Sequence, residues 1–171
     1  LPNSPLWGTQ AFSADQTCLH VVEVVSGAAL FARRAVLERV GGFSQRYFMY
    51  CEDLDICFKI ARLGHNVCYF PEVTILHHGG TSAKKQPSSF STIMMRQSVW
   101  RFMWINRGIV SALAYRIGMG FSAAVRLIFI LPLMLAGTSI VRHGIGSMRK
   151  SAAIVRWSVG LEGWVRTFPK R

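Results

Sequence analysis

Residues 47–64 read YFMYCEDLDICFKIARLG and hold the densest acidic group in the chain. Only eight acidic side chains occur among 171 residues, and three of them fall within positions 52–55. Apolar side chains recur among and after these acids at helical spacing. They are Leu54, Cys57, Phe58 and Ala61. With Gly64 as a typical helix stop, the pattern predicts a helix over residues 53–63 whose N-terminus carries the acids, where the helix dipole favours carboxylates.

A second polar group follows a short β-branched run. Residues 73–76, VTIL, predict a strand that leads into His77, His78 and a glycine-rich segment. An acid pair at a helix start and a histidine at a strand end are candidates for base chemistry beside a metal. Spacing alone leaves simpler roles open, because an Asp at a helix start is commonly a cap and a His after a strand is commonly a surface residue.

Four motifs in the N-terminal half occur in a fixed order. They are VSGAALF at 25–31, VGGF at 40–43, FMYCEDLD at 48–55 and HHGGTS at 77–82. This order resembles the C-terminal half of the catalytic domain of family 2 glycosyltransferases, especially the rhamnosyltransferase-like branch. The resemblance covers about residues 20–83. It implies an α/β fold in which this chain supplies the C-terminal half of a GT-A-type mixed sheet flanked by helices.

The resemblance also implies roles for particular residues. Asp53 corresponds to the catalytic base, with Glu52 beside it in the acid pair. His77, rather than His78, corresponds to the ligand of the divalent metal on the donor diphosphate. An imidazole ligand favours Mn²⁺ over Mg²⁺. The acceptor side corresponds to Ser26, Gly27, Ala28 and Tyr50.

The sequence departs from the family pattern in three places. Ser44 stands where many relatives carry an Asp after the Gly-Gly-Phe motif. The nucleotide-binding half with its Asp-x-Asp metal motif has no counterpart, since the Asp-x-Asp in this chain is the one at 53–55. The chain also starts at Leu1 without a Met. We therefore expect a fragment of a longer enzyme that does not turn over substrate alone.

Charge is distributed unevenly between the two halves. The chain has 20 Lys and Arg against 8 acidic residues, a net charge of +12. Residues 1–90 hold 8 basic and 7 acidic side chains, whereas residues 91–171 hold 12 basic side chains and a single acid, Glu162. Because the basic half is also apolar, the pattern favours an anionic membrane surface as a partner. Nucleic acid is not expected, because no nucleic-acid-binding motif is recognisable.

The second half predicts helices that associate with a membrane. Residues 92–106 mix aromatic and arginine side chains, which suits an interfacial helix or packing against the catalytic domain. Residues 117–141 are long enough to cross a bilayer, but Arg126 and Pro132 argue against a simple span. We favour a helical pair or re-entrant element on the cytoplasmic face of the plasma membrane. Residues 151–171 repeat the basic amphipathic theme.

These observations predict three regions. Residues 1–83 form the acceptor-side part of the catalytic domain, with strands at 21–25, 67–70 and 73–76 in a mostly parallel layer and a helix at 33–40. Residues 84–91 form a lid or linker, and residues 92–171 form the membrane-associated extension. The four cysteines lack the spacing of a zinc module, so reduced thiols are expected.

Two hypotheses about function remain. The first is an inverting glycosyltransferase that moves a sugar from a nucleotide-sugar donor, dTDP-rhamnose at the level of the branch, to a lipid-linked or polysaccharide acceptor. The second is a non-catalytic, basic amphipathic membrane-binding module in which the acids only cap a helix. Turnover of a nucleotide sugar after the upstream half is restored distinguishes them.

Overall fold

The computed structural model describes residues 19–76, 89–135, 141–163 and 165, and helices dominate them. The elements, in chain order, are β1 His20–Val22, α1 Arg34–Arg39, α2 Glu52–Arg62, β2 Val67–Tyr69, α3 Phe90–Leu135 and α4 Val141–Ser158. The predicted helices at 33–40 and 53–63 correspond to α1 and α2. The helix expected over 92–106 is the first part of α3.

The two described strands form a small antiparallel sheet. His20 lies opposite Tyr69, and Val22 lies opposite Val67. The strand predicted at 73–76 is wrong, because these residues form no regular element and are exposed. β-Branched residues favour a strand only where a neighbour satisfies the backbone hydrogen bonds, and no described strand pairs with them. The larger mixed sheet remains a prediction.

Glycines end both short helices. Gly41 and Gly64 have positive φ angles of 74° and 80°. At the end of α2, the Gly64 N–H donates to the Ala61 carbonyl at 2.9 Å and the His65 N–H donates to the Ile60 carbonyl at 3.3 Å. This pair of bonds is the Schellman closure, which needs a left-handed residue and therefore favours glycine. It confirms the predicted helix stop.

Helix α2 is packed on two sides rather than one. Ile56 and Ile60 belong to an apolar cluster with the small sheet and α1. Across the helix, Phe58 meets Phe102 of α3 edge to face, with ring centroids 5.5 Å apart. The predicted single apolar face was therefore incomplete: it omitted both isoleucines, and it included Ala61, which is exposed. The double packing fixes α2, and with it the acids at its start.

Helix α3 folds back on itself at Gly108, whose φ of 83° and ψ of 170° are not helical. Ile93 before the break and Ala123 after it share one apolar cluster. The Arg116 guanidinium lies over the Trp100 ring at 5.6 Å. Because both pairs are equally spaced about Gly108, the two halves of α3 run antiparallel. The sequence patterns predicted the helices but not this reversal.

Trp157 of α4 joins the three helical segments. Its side chain is 1% exposed, and its Nε1–H donates to Gln97 Oε1 at 2.8 Å. Arg116 donates to the carbonyls of Trp157 and Ser158 at 2.7 and 3.0 Å. Its guanidinium also lies 5.3 Å from the Trp157 ring. The cation thus adds to the bonding of the last carbonyls of α4, where the Trp157 carbonyl also accepts from the Gly160 N–H at 3.0 Å.

Candidate active site

The structure brings Asp53 against the segment that contains Gly27. The Gly27 N–H donates to Asp53 Oδ2 over 3.0 Å, although the two residues are 26 positions apart. The other carboxylate oxygen, Oδ1, accepts from the Leu54 N–H at 2.8 Å. Asp53 is half-buried. Its carboxylate is therefore held at the first turn of α2 and remains accessible to a solute.

The predicted acceptor segment is an exposed turn beside this carboxylate. Ser26, Gly27 and Ala28 are all exposed, and Ser26 Oγ accepts from the Ala28 N–H at 3.3 Å. A Cβ added at Gly27 would lie 3.4 Å from Asp53 Cβ and 3.7 Å from Oδ2. These are ordinary van der Waals distances, so the Gly27 turn packs directly against the Asp53 side chain. Three of the four predicted acceptor residues therefore lie next to the predicted base.

The turn that leads into α2 has an uncommon backbone conformation. Tyr50 and Cys51 have φ angles of 68° and 66°. For residues with a side chain, each left-handed conformation costs about 1–2 kcal/mol. Such positions persist only where the surroundings hold them, and they cluster at functional sites. Tyr50, the fourth predicted acceptor residue, is half-buried in this turn, directly upstream of the acid pair.

The three carboxylates at the start of α2 have different surroundings. Asp55 is 3% exposed, accepts a hydrogen bond from Tyr47 Oη at 3.2 Å and pairs with Lys59 Nζ at 2.6 Å. It is thus part of the packing. Glu52 Oε2 is buried and has no hydrogen-bond partner among the described residues. Asp53 is the one that reaches the exposed Gly27 turn.

Burial keeps the neighbouring titratable groups neutral. Burial, together with the nearby carboxylates of Asp53, Glu52 and Asp55, raises the pKa of Cys51 to about 12. Burial and the bonded Asp55 carboxylate likewise raise the pKa of Tyr47 above its ordinary value. Both groups remain protonated near neutral pH, so neither is a competing base. Cysteines 51, 57 and 68 are free thiols among the described residues.

Helix α3 contacts the loop that precedes Asp53. Ser98 Oγ donates to the Met49 carbonyl at 2.7 Å, and Arg101 donates to the Arg46 carbonyl. Phe102 shares a buried cluster with this loop. Sequence reasoning missed these contacts because they join residues about fifty positions apart. The available signal was weak: a small polar residue, Ser98, among the apolar positions of a helix.

The predicted metal ligand His77 and most of the predicted lid at 84–91 lie outside the described residues. Within the described part, no group of three or more His, Cys, Asp or Glu side chains is arranged to hold a metal ion. A metal at this site would need ligands from elsewhere, and His77 remains the predicted one.

A cleft of about 420 Å³ lies on another side of α2. Its lining combines the small sheet with the start of α1 and includes Phe31, Cys57 and His65. Asp53 and Gly27 are not among the residues that line it. The candidate site is therefore an open surface next to α2 rather than this cleft.

The second half of α3 exposes large apolar side chains along one face. Val110, Ile117, Phe121 and Ile128 are 77%, 69%, 72% and 68% exposed. Their spacing of four and seven residues places them on one side of a helix. By length and composition alone the described portion Phe90–Phe129 could cross a membrane, but the reversal at Gly108 divides it into two shorter helical segments. We call this side the apolar face.

Two curated proteins share sequence with part of the chain. A protein of Mycobacterium tuberculosis named N-acetylglucosaminyl-diphospho-decaprenol L-rhamnosyltransferase is 40% identical over 65 residues, which are 38% of this chain and 21% of that protein. Rhamnosyltransferase WbbL of Escherichia coli K12 is 38% identical over 58 residues, 34% of this chain and 22% of that protein. The similarity is to rhamnosyltransferases. It supports a relationship to glycosyltransferases.

This chain spans only about a fifth of the length of these relatives. No protein-family profile matches the chain. No solved structure matches it.

Proposed function

We propose that this chain is the acceptor-side and membrane-side part of an inverting glycosyltransferase, with Asp53 as the catalytic base. The observation that carries the proposal is the contact between Asp53 Oδ2 and the Gly27 N–H at 3.0 Å. It joins an accessible carboxylate to the exposed turn that the family resemblance assigns to the acceptor. A carboxylate that only caps a helix has no need of such a partner.

The chemistry requires a base at this place. As the acceptor hydroxyl oxygen bonds to the anomeric carbon, its proton passes to an Asp53 carboxylate oxygen, and the bond from the anomeric carbon to the diphosphate oxygen breaks. A base within hydrogen-bond reach contributes about 100- to 10,000-fold to such a step. Glu52 Oε2, buried without a partner among the described residues, is the second polar acceptor that we assign to the site.

The proposed donor is a nucleotide-linked rhamnose such as dTDP-rhamnose, because both relatives are named rhamnosyltransferases. The proposed acceptor is lipid-linked, as in the name of the mycobacterial relative. A divalent metal, Mn²⁺ or Mg²⁺, would neutralise charge on the leaving diphosphate, with His77 as its proposed ligand. We further propose that the nucleotide-binding half lies outside this chain, which alone does not turn over.

The apolar face supports a membrane location for the acceptor. A basic, aromatic-rich helical pair at the cytoplasmic surface would hold the enzyme where a lipid-linked substrate is concentrated. The same face also favours the second candidate, a membrane-binding module without catalysis. The two differ in what they require of Asp53, since only the enzyme needs its carboxylate to reach the Gly27 turn.

The test is turnover in a completed enzyme, made by replacing the 65 matched residues of the mycobacterial relative, together with the residues that follow them, with the corresponding residues of this chain. We expect release of nucleoside diphosphate from dTDP-rhamnose that depends on a lipid-linked acceptor. Chelation should stop the release, and Mn²⁺ should restore it. Vesicle binding without acceptor-dependent release would favour the non-catalytic module instead.

A further inference from the structure

The loop of residues 46–51 determines where Asp53 lies. It ends in the two left-handed residues Tyr50 and Cys51, and α2 begins at the next residue. Because neither residue is glycine, the chain would relax from this conformation if nothing held it. A change in either dihedral angle would redirect the first turn of α2, which carries the carboxylate.

Side chains of helix α3 hold this loop through hydrogen bonds to the loop's carbonyl groups. Ser98 Oγ donates to the carbonyl of Met49, the residue before the left-handed pair, at 2.7 Å. Arg101 donates to the carbonyl of Arg46, at the start of the loop. The two donors are three residues apart and thus lie on one face of α3. They hold the loop at its first residue and just before the left-handed pair.

Burial makes the first of these bonds significant. Ser98 is 4% exposed, and Cys51 is 6% exposed. Phe102, one helical turn beyond Ser98, packs in the same cluster as Tyr47 and Cys51. The bond is partly buried, so its loss removes the partner of the Met49 carbonyl at a site with reduced access to water.

We propose that Ser98 and Arg101 are positioning residues that aim Asp53 at the Gly27 turn. They act through the backbone of the loop and touch neither substrate nor the reacting atoms. The inference rests on the proposed function, because the position of Asp53 matters for catalysis only if its carboxylate accepts the acceptor's proton. Helix α3, which carries the apolar face, would then also hold the catalytic base in position.

Hydrogen exchange at the Gly27 amide tests directly, in this chain, whether Ser98 and Arg101 position Asp53. That N–H donates to Asp53 Oδ2, so misplacing the carboxylate should expose it. We expect Ser98→Ala to speed its exchange by about threefold to tenfold, the range of a typical hydrogen bond. Ser111→Ala is the matched control, because Ser111 Oγ donates within its own helix to the Arg107 carbonyl at 3.1 Å. It should leave Gly27 exchange unchanged.

Arg101→Gln provides a second test if Ser98→Ala does not fold. The bond from Arg101 to the Arg46 carbonyl is exposed, so its loss should leave the fold intact. It should also speed Gly27 exchange. Unchanged exchange in the folded variants would overturn the proposal.

Kinetics of the completed enzyme separate positioning from general stability. Ser98→Ala should lower kcat by about 10- to 100-fold, as expected for a small misplacement, while KM for the donor stays within about twofold. Ser98→Thr keeps the hydroxyl and should restore kcat. An unchanged kcat in Ser98→Ala would contradict the inference. A completed enzyme without turnover would refute the proposed function, whereas the exchange experiment would still decide whether Ser98 positions Asp53.

Discussion

Two glycines in the second half of α3 should respond in opposite ways to alanine. A Cβ at Gly118 would meet nothing within 4 Å, whereas a Cβ at Gly120 would lie 2.7 Å from Ser158 Cβ. Alanine in a helix interior is favoured over glycine by about 1 kcal/mol. Gly118→Ala should therefore raise the free energy of unfolding by up to about 1 kcal/mol.

At Gly120 the same gain is offset by overpacking, which typically costs about 1–3 kcal/mol. Gly120→Ala should therefore be less stable than Gly118→Ala by about 1–3 kcal/mol. Urea unfolding in mild detergent, followed by tryptophan fluorescence, measures both variants, because Trp157 lies in the buried cluster that joins both halves of α3 to α4. Ser158→Gly should restore the Gly120→Ala variant in a double-mutant cycle. Equal stability of the two alanine variants would refute the close approach of α3 and α4.

Three further predictions concern other parts of the molecule. Arg116→Lys should lower the free energy of unfolding by about 1–2 kcal/mol, because an ammonium cannot reproduce the two guanidinium bonds to the end of α4. Arg107→Lys, at an exposed position, should change the free energy of unfolding little, and equal effects of the two variants in urea unfolding would contradict the role of Arg116 at the end of α4. Iodoacetamide at pH 8 should modify the exposed Cys68 within the native protein and spare Cys51, whose pKa is raised to about 12 by burial and nearby carboxylates; rapid modification of Cys51 in peptide mapping would show that the loop is not packed as described. Phe121→Glu on the apolar face should weaken sedimentation with anionic vesicles by more than about tenfold, because burial of a Phe contributes about 1.5–3 kcal/mol; undiminished binding would place the membrane contact elsewhere.

Helices were predicted well where local chemistry defines their ends. Gly64 stops α2 because a left-handed residue closes the Schellman bonds, and this requirement is visible in sequence. The strand at 73–76 was predicted wrongly because β-branching describes a residue's preference and not the presence of a pairing partner. The reversal at Gly108 was missed, since a glycine within an apolar helical pattern is as compatible with a continuous helix as with a turn.

The candidate site was predicted through the family resemblance more than through spacing. The acids and the segment around Gly27 were named from their motifs, whereas their contact depends on folding over 26 positions. The left-handed pair Tyr50 and Cys51 carried no sequence signal, because non-glycine residues adopt this conformation only when tertiary contacts hold them. The neighbouring loop residues Met49 and Arg46 accept hydrogen bonds from Ser98 and Arg101, which no local pattern connects to the acids.

The proposed mechanism depends on transfer of the acceptor's proton to the Asp53 carboxylate. Its most direct test is kcat for dTDP-rhamnose turnover by the completed enzyme carrying Asp53→Asn, compared with Asp55→Asn per folded molecule. We expect Asp53→Asn to lose at least about 100-fold in kcat with donor binding near normal. Asp55→Asn, whose carboxylate bonds Tyr47 and Lys59, should keep its activity. Full turnover by Asp53→Asn would rule out Asp53 as the base.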